Sequence, residues 1–145
     1  QLDLPQKGYY VTPSIYAVKE PNKNSVYQKS EIFGPNVALY TVNDLQEAID
    51  INNSTGYGLV TSIFSKTKNV YEEVYTKSRS GLVNWNRTTN GGSSKLPFGG
   101  RDKSGNDRPT GSFAVYYCTV PVACLEDTGG FDPKTVLPGM NYETK

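Results

Sequence analysis

The 145-residue sequence contains no histidine, only two cysteines, one methionine and one tryptophan. The absence of histidine excludes a Ser-His-Asp or Cys-His catalytic unit and any histidine-containing zinc site within this chain, and we predict no metal site. Cys118 and Cys124 lie in a β-like run, where six residues of extended chain separate them by about 20 Å, beyond disulfide reach. We therefore expect free thiols and a reducing compartment.

The sequence also lacks an excess of charge and a long apolar run. It has 15 Lys and Arg against 14 Asp and Glu, a net charge of +1, which gives no electrostatic reason to bind nucleic acid or an anionic membrane. No apolar run approaches the roughly 18 residues of a membrane span, and residues 1–6 lack the pattern of a signal peptide. We expect a soluble cytoplasmic protein that binds neither nucleic acid nor membrane.

The sequence does contain an alternation of strand-like and helix-like patterns. Three segments rich in β-branched and apolar residues predict strands: 36–42, 59–65 and 82–86. A capping box of Asn43 and Gln46 opens a helix after the first strand, and apolar residues at helical spacing within 70–75 predict a second helix. This order predicts an α/β fold with a β-α-β-α-β unit, a parallel sheet and right-handed crossovers. Residues 8–18 are also predicted to be extended, but Pro13 restricts them to a sheet edge or a broken strand.

The remainder of the chain is divided by its composition. Residues 87–112 are rich in glycine, serine and polar residues and form a long irregular loop. We expect residues 1–112 to form part of one domain, and 113–126 to be extended and interrupted by Pro121, either as an edge strand or as a strand that pairs outside that domain. The polar residues 127–145 form a tail.

Both phosphate-binding glycine motifs are incomplete. Thr61 stands where GxGxxG needs its third glycine, and Asp102 stands where a P-loop needs a glycine. The two cysteines lie in an apparent strand without a histidine, so we interpret them as packing thiols rather than nucleophiles. The chain therefore carries no nucleotide motif and no catalytic residue of its own.

Three features are candidates for binding, each with a plainer alternative. The backbone N–H groups of Gly91 and Gly92, beside the Ser93 hydroxyl, can form a nest for a carboxylate, or the segment is an ordinary flexible loop. Phe98 is either a pocket wall or a loop anchor. Glu31 is either a binding carboxylate or a surface residue before a turn.

A family resemblance gives these features a common interpretation. Four segments resemble, in order, the C-terminal third of the aldehyde dehydrogenase superfamily: EIFGP at 31–35, DLQEAI at 44–49, GYGLVTSIF at 56–64, and PFGG at 97–100 followed by Ser104-Gly105. Within that superfamily, three further segments look most like the succinylglutamate semialdehyde dehydrogenases of arginine catabolism: 81–109, 116–126 and 136–140.

The resemblance implies roles for the candidate residues. Glu31 would hold the ribose hydroxyls of the nicotinamide in NAD, and Phe33 would pack beside the nicotinamide. Phe98 would line the aldehyde tunnel, and the loop 91–93 would anchor a carboxylate of the small-molecule semialdehyde substrate. The strand around 116–125 would pair across a subunit interface of a homo-oligomer.

The resemblance also implies what lies elsewhere. In this family the catalytic thiolate, the general base and the NAD-binding domain precede this region, so the chain alone is expected to be inactive. The parent enzyme would oxidise an acidic semialdehyde through a thiohemiacetal, hydride transfer to NAD and thioester hydrolysis. Because the only methionine is Met140, we expect a processed or truncated piece. The alternatives are a fragment of a glutamate semialdehyde dehydrogenase and a non-catalytic, stand-alone interaction module.

Overall fold

A computed structural model describes residues 7–22, 24–126, 128–130 and 139 of the chain. The helices among them are α1 (Val26–Lys29), α2 (Leu45–Asn53), α3 (Lys68–Lys77) and α4 (Ala114–Cys118). The strands are β1 (Ser14–Val18), β2 (Asn36–Tyr40), β3 (Tyr57–Gly58), β4 (Val60–Ile63), β5 (Leu82–Trp85), β6 (Pro97–Phe98), β7 (Arg101–Asp102) and β8 (Thr110–Gly111). The predicted α/β class is confirmed.

Parallel strand pairs form the frame of the fold. Strands β4 and β5 pair in parallel and are joined through α3, which is the expected crossover unit. Strand β2, however, pairs in parallel with β1, and among the described residues β2 lies in a different two-stranded sheet from β4 and β5, where one three-stranded sheet was predicted. The apolar pattern of a strand indicates which face is buried but does not specify which neighbour it pairs with, and this explains the difference.

Helix α2 follows β2 and supplies most of the small core. Its N-cap is Asp44, whose carboxylate accepts a hydrogen bond from the Glu47 backbone N–H at 2.8 Å, while the Glu47 carboxylate accepts one from the Asn43 backbone N–H at 2.8 Å. The N-cap thus lies one residue later than the predicted Asn43, and the Glu47 carboxylate bonds the N–H of the residue before the N-cap instead of the N-cap N–H of a capping box. The helix buries Ile49 and Ile51.

Helix α3 covers the β4–β5 pair. Val74 is buried, and the Tyr71 ring stacks on the Trp85 indole with centroids 5.6 Å apart. The indole N–H also donates a hydrogen bond to the Ser65 carbonyl at 3.0 Å. An aromatic contact and a satisfied donor therefore hold the helix against the end of β5.

The predicted strand 113–126 is not a strand in the structure. Residues Ala114–Cys118 form the short helix α4, and Thr119 Oγ1 donates to the Val115 carbonyl at 2.6 Å. Residues 119–126 pair with no described strand. The β-propensity of valine and tyrosine depends on a neighbouring strand to pack against, and the described part of the chain supplies none here.

Several predictions concern the C-terminal part of the chain, and their outcomes differ. The division of the chain at 112 and 126, and the pairing of 113–126 across a subunit interface, stay predictions. The tail 127–145 lies outside the described residues except for 128–130 and 139. Both cysteines are free and exposed.

Much apolar surface stays exposed. Among the described residues, the buried hydrophobic core consists of Ile49, Ile51 and Val74, whereas Phe33 is 92% exposed and Leu125 99%. Exposed apolar surface of this extent is typical of faces that contact other protein. No helix in the described part of the chain has the length and apolarity needed to cross a membrane.

Candidate functional site

Glu31 lies just after α1, at the edge of a cavity of about 660 Å³ that we call cavity A. Cavity A is bounded by α1, β2, α2 and the β3–β4 segment, and Leu59 and Ser104 belong to its lining. The described residues give the Glu31 carboxylate no hydrogen-bond partner, so both oxygens are free to accept hydrogen bonds from hydroxyl groups. The volume of the cavity lies in the range typical of small-molecule sites. A carboxylate at such a cavity fits the ribose of a dinucleotide such as NAD.

The segment that carries Glu31 is held by the buried side chain of Gln28. Its Nε2 donates to the Ile51 carbonyl at 3.3 Å and to Ser54 Oγ at 3.2 Å, and its Oε1 accepts from the Tyr40 hydroxyl at 2.6 Å. These bonds connect α1 to β2 and to the end of α2. Lys29 Nζ adds a bond to the Ser54 carbonyl at 2.8 Å.

Phe33 lies two residues after Glu31 but lines a different cavity. This cavity B, of about 650 Å³, is formed by β1, the segment after α1 and the side chains of Tyr27 and Tyr40. Ile32 lines both cavities. The structure therefore places the two predicted cofactor residues at two different cavities whose linings share Ile32.

Three of the predicted substrate residues meet at one cavity. Gly92, Ser93 and Phe98 line cavity C, of about 260 Å³, together with Thr110 and Gly111. Strands β6 and β8 pair antiparallel, and Thr110 Oγ1 donates to the Phe98 carbonyl at 2.9 Å. A Cβ added at Gly92 would lie 3.2 Å from the Phe98 ring. The absence of a side chain at this position thus keeps the cavity open beside the ring.

Gly91 is close in sequence but does not line cavity C. It has φ +84°, in the left-handed region, and an added Cβ would meet nothing within 4 Å. The Ser93 hydroxyl accepts a hydrogen bond from the Lys95 backbone N–H at 3.2 Å, which leaves its proton available to an anion. The loop therefore places a glycine and a hydroxyl donor at cavity C, and Gly91 supplies the turn that precedes them.

Cavities A and C each share lining residues with a fourth cavity. Cavity D, of about 230 Å³, shares Phe98 and Thr110 with cavity C, and shares Leu59 and Ser104 with cavity A. Ser104 Oγ accepts a hydrogen bond from the Gly58 backbone N–H at 3.2 Å. Side chains that line cavity D therefore form a common wall for the two candidate binding sites.

An exposed ion pair joins Arg79, which follows α3, to Asp102 of β7. Arg79 donates two hydrogen bonds to Asp102, from Nε at 3.1 Å and from Nη2 at 2.8 Å. Asp102 belongs to β7, which pairs antiparallel with β3. The hydrogen bond from Arg79 lowers the pKa of Asp102, and the pKa of Arg79 is raised by the same bond.

Sequence reasoning missed some residues of these cavities. Thr110 and Gly111 follow the loop without a distinctive pattern, and only the β6–β8 pairing brings them to Phe98. Gln28 had a local signal, because Ser25 stands three residues before it at helix-capping spacing. The Ser25 hydroxyl does accept from the Gln28 backbone N–H at 3.0 Å, but the Gln28 side chain turns inward instead of returning to Ser25.

Comparison with known proteins finds relatives that are named as dehydrogenases. The chain is 45% identical over 113 residues to the N-succinylglutamate 5-semialdehyde dehydrogenase of Legionella pneumophila (strain Corby), covering 78% of this chain and 23% of that protein. A solved 1-pyrroline-5-carboxylate dehydrogenase from Thermus with bound NAD has a TM-score of 0.68 at 30% identity, over 76% of this chain and 21% of that one. Aldehyde dehydrogenase 21 of Physcomitrella patens, solved with its reaction product succinate, has a TM-score of 0.66 at 31% identity, over 77% and 23% of the two chains.

The chain thus spans about a quarter of the length of the curated relatives that it matches. The matched part lies in their C-terminal region, as the sequence resemblance predicted. The family model described as the aldehyde dehydrogenase family matches residues 2–122, which is most of the chain. The chain therefore belongs to the aldehyde dehydrogenase family.

Proposed function

We propose that this chain is the C-terminal segment of an NAD-dependent dehydrogenase that oxidises succinylglutamate semialdehyde to the acid in arginine catabolism. The meeting of the segment 92–98 with Thr110 and Gly111 at cavity C carries the proposal, because these two segments are separate in the sequence. The names of the curated relatives support the choice of substrate.

Cavity C is the proposed substrate site. The Ser93 hydroxyl and the backbone N–H groups of Gly92 and Ser93 bind a substrate carboxylate, since oriented backbone amides favour an anion. The Phe98 ring packs against the aliphatic part of the semialdehyde and excludes water from one side of it. These groups orient the substrate, and they do not react with it.

Cavities A and B, which share Ile32 in their linings, are together the proposed cofactor site, with Glu31 at cavity A and Phe33 at cavity B. The Glu31 carboxylate accepts hydrogen bonds from the ribose hydroxyls, and Phe33 packs beside the nicotinamide ring. When bound, NAD supplies the hydride acceptor for the oxidation. The free oxygens of Glu31 support this assignment. The exposure of Phe33, 92% in this chain, agrees with a ring that contacts a ligand or other protein.

We further propose that the chain is inactive without the rest of its parent protein. Neither Cys118 nor Cys124 lines cavities A to D, and the chain has no histidine to act as a general base. The thiolate and the base must then come from the preceding part of the polypeptide. Mixing the purified chain with NAD and semialdehyde should give no NADH, whereas turnover by the chain alone would contradict this part of the proposal.

The same parent is proposed to be a cytoplasmic homo-oligomer. Residues 119–126 are unpaired among the described strands and carry strongly exposed apolar side chains, with Val122 84% and Leu125 99% exposed. An extended apolar segment of this kind can add to a sheet edge of a second copy. The free thiols support a reducing compartment.

The substrate is tested by steady-state kinetics on the complete natural polypeptide that contains this chain. We expect kcat/KM for succinylglutamate semialdehyde to exceed that for glutamate semialdehyde at least tenfold with NAD as acceptor. Equal efficiencies would defeat the choice of substrate, and oxidation of neither would defeat the proposed activity. The size of the polypeptide in source cells separates an enzyme segment, several times larger than 16.0 kDa, from a stand-alone module of that mass.

A further inference from the structure

The buried amide of Gln28 lies at the one place where three elements around cavity A meet. Gln28 is 9% exposed, and both hydrogens of its amide and its oxygen are hydrogen-bonded, to Ile51, Ser54 and Tyr40. The Ile51 carbonyl can only accept, so the amide nitrogen must face it and the amide oxygen must face Tyr40. The network therefore has a single orientation.

Helix α1 cannot hold its own position. It has four residues, Val26–Lys29, and a helix this short is unstable without tertiary contacts because nucleation is costly. Val26 is 80% exposed, whereas the Tyr27 hydroxyl donates to Asn36 Oδ1 at 2.8 Å and its ring packs edge-on against Tyr16, which connects α1 to β2 and β1. The Gln28 amide and the Lys29 bond to the Ser54 carbonyl at 2.8 Å connect the end of α1 to α2, just before the chain reaches Glu31.

Glu31 is the third residue after Gln28, and the two residues line the same cavity. We infer that Gln28 is a positioning residue for Glu31: its buried amide, bonded to Tyr40, Ile51 and Ser54, holds the Glu31 carboxylate at cavity A for the ribose hydroxyls. This inference rests on the proposed cofactor role of cavity A. It adds a residue that acts on the cofactor only through another side chain.

The test uses equilibrium binding of NAD to the complete polypeptide, measured by calorimetry, together with KM for NAD and for the semialdehyde. Gln28→Met keeps the length and buried shape of the side chain but removes its hydrogen bonds. The loss of such bonds corresponds to about a three- to tenfold rise in the Kd for NAD. The KM for the semialdehyde should change less than twofold. Gln46→Met, an exposed glutamine on α2 outside the cavity, is the matched control and should bind NAD as the wild type does.

A double-mutant cycle distinguishes positioning from general support of the fold. If Gln28 acts through Glu31, then Gln28→Met should weaken NAD binding no further in a Glu31→Gln background. Additive effects of the two substitutions, or equal rises in the KM values of cofactor and semialdehyde, would overturn the inference and leave Gln28 a structural residue.

Tyr40→Phe covers the case in which Gln28→Met fails to fold, because it removes only the bond to the amide oxygen. It should raise the Kd for NAD about threefold and should likewise have no effect in the Glu31→Gln background. An unchanged Kd in Tyr40→Phe would overturn the inference while leaving the proposed function intact. A wild-type polypeptide that binds no NAD would overturn both.

Discussion

Cavities A and C are built by opposite means. The α1 side of cavity A is held by side chains, and its central support is the buried Gln28 amide bonded to Tyr40, Ile51 and Ser54. The wall of cavity C and the adjoining cavity D depends on backbone segments that approach where side chains are missing. A Cβ added at Gly81 would lie 1.7 Å from the Gly99 carbonyl oxygen.

This difference predicts which substitutions each site tolerates. A hydrogen-bonded support of the kind at cavity A is weakened when a polar group is removed, and its loss is moderate because each bond contributes modestly. A backbone-packed support is disrupted when a single methyl group is added, because backbone cannot move aside as a flexible side chain can. We therefore expect the largest effects from additions around Gly81, and smaller ones from removals.

The strongest test of the comparison adds one methyl group to the backbone-packed region. Gly81→Ala should destabilise the complete polypeptide by about 3 kcal/mol, because its Cβ would overlap the Gly99 carbonyl. The measurement is the free energy of unfolding in urea. Gly34→Ala is the control, since its Cβ would come no closer than 4.0 Å to a neighbour. Equal stability of the two variants would contradict the close approach.

The next test removes the charge at cavity A. Glu31→Gln should weaken NAD binding about 10- to 100-fold, because hydrogen bonds to a charged acceptor are stronger than those to a neutral one. The KM for the semialdehyde should change little. Glu72→Gln, on the exposed face of α3 and paired with Lys68, serves as the control. Unchanged NAD binding in Glu31→Gln would remove Glu31 from the cofactor site.

Substitutions of increasing size at Gly92 test whether cavity C binds the semialdehyde. Because an added Cβ would lie 3.2 Å from the Phe98 ring, Gly92→Ala should raise the KM of the semialdehyde slightly, and Gly92→Val should raise it about tenfold. The KM for NAD should stay unchanged in both variants. A rise confined to NAD would show that the cavity does not bind the semialdehyde.

The smallest effect is expected at the exposed pair of Arg79 and Asp102. The folded-state pKa of Asp102 lies below its ordinary value because of the hydrogen bond from Arg79. The pair therefore stabilises the fold above that ordinary value, and the contribution is lost as the pH falls through the folded-state pKa. Asp102→Asn should lower Tm slightly at pH 7 and low salt, and the difference from wild type should shrink toward pH 3 and in high salt. A constant difference would indicate a cause other than charge.

The sequence was sufficient to predict the local elements and the family. Helical spacing over 70–75 predicted α3, and extended segments predicted β2, β4 and β5, because these patterns depend on residues a few positions apart. The ordered motifs from EIFGP to PFGG predicted the aldehyde dehydrogenase family, which is confirmed. The predicted strand over 113–126 was wrong for Ala114–Cys118, because the described residues supply no neighbouring strand with which this segment could pair.

The amino-acid sequence by itself determined where α2, α3 and the strands β2, β4 and β5 form, which family the chain belongs to, and that it contains no histidine for catalysis. Only the tertiary structure decided that β2 pairs with β1, that Gly92 and Phe98 meet Thr110, and that Gln28 turns inward. The physical reason is the distance along the sequence over which each feature is determined. Local patterns set backbone conformation and polarity, whereas contacts between distant residues depend on how the whole chain packs.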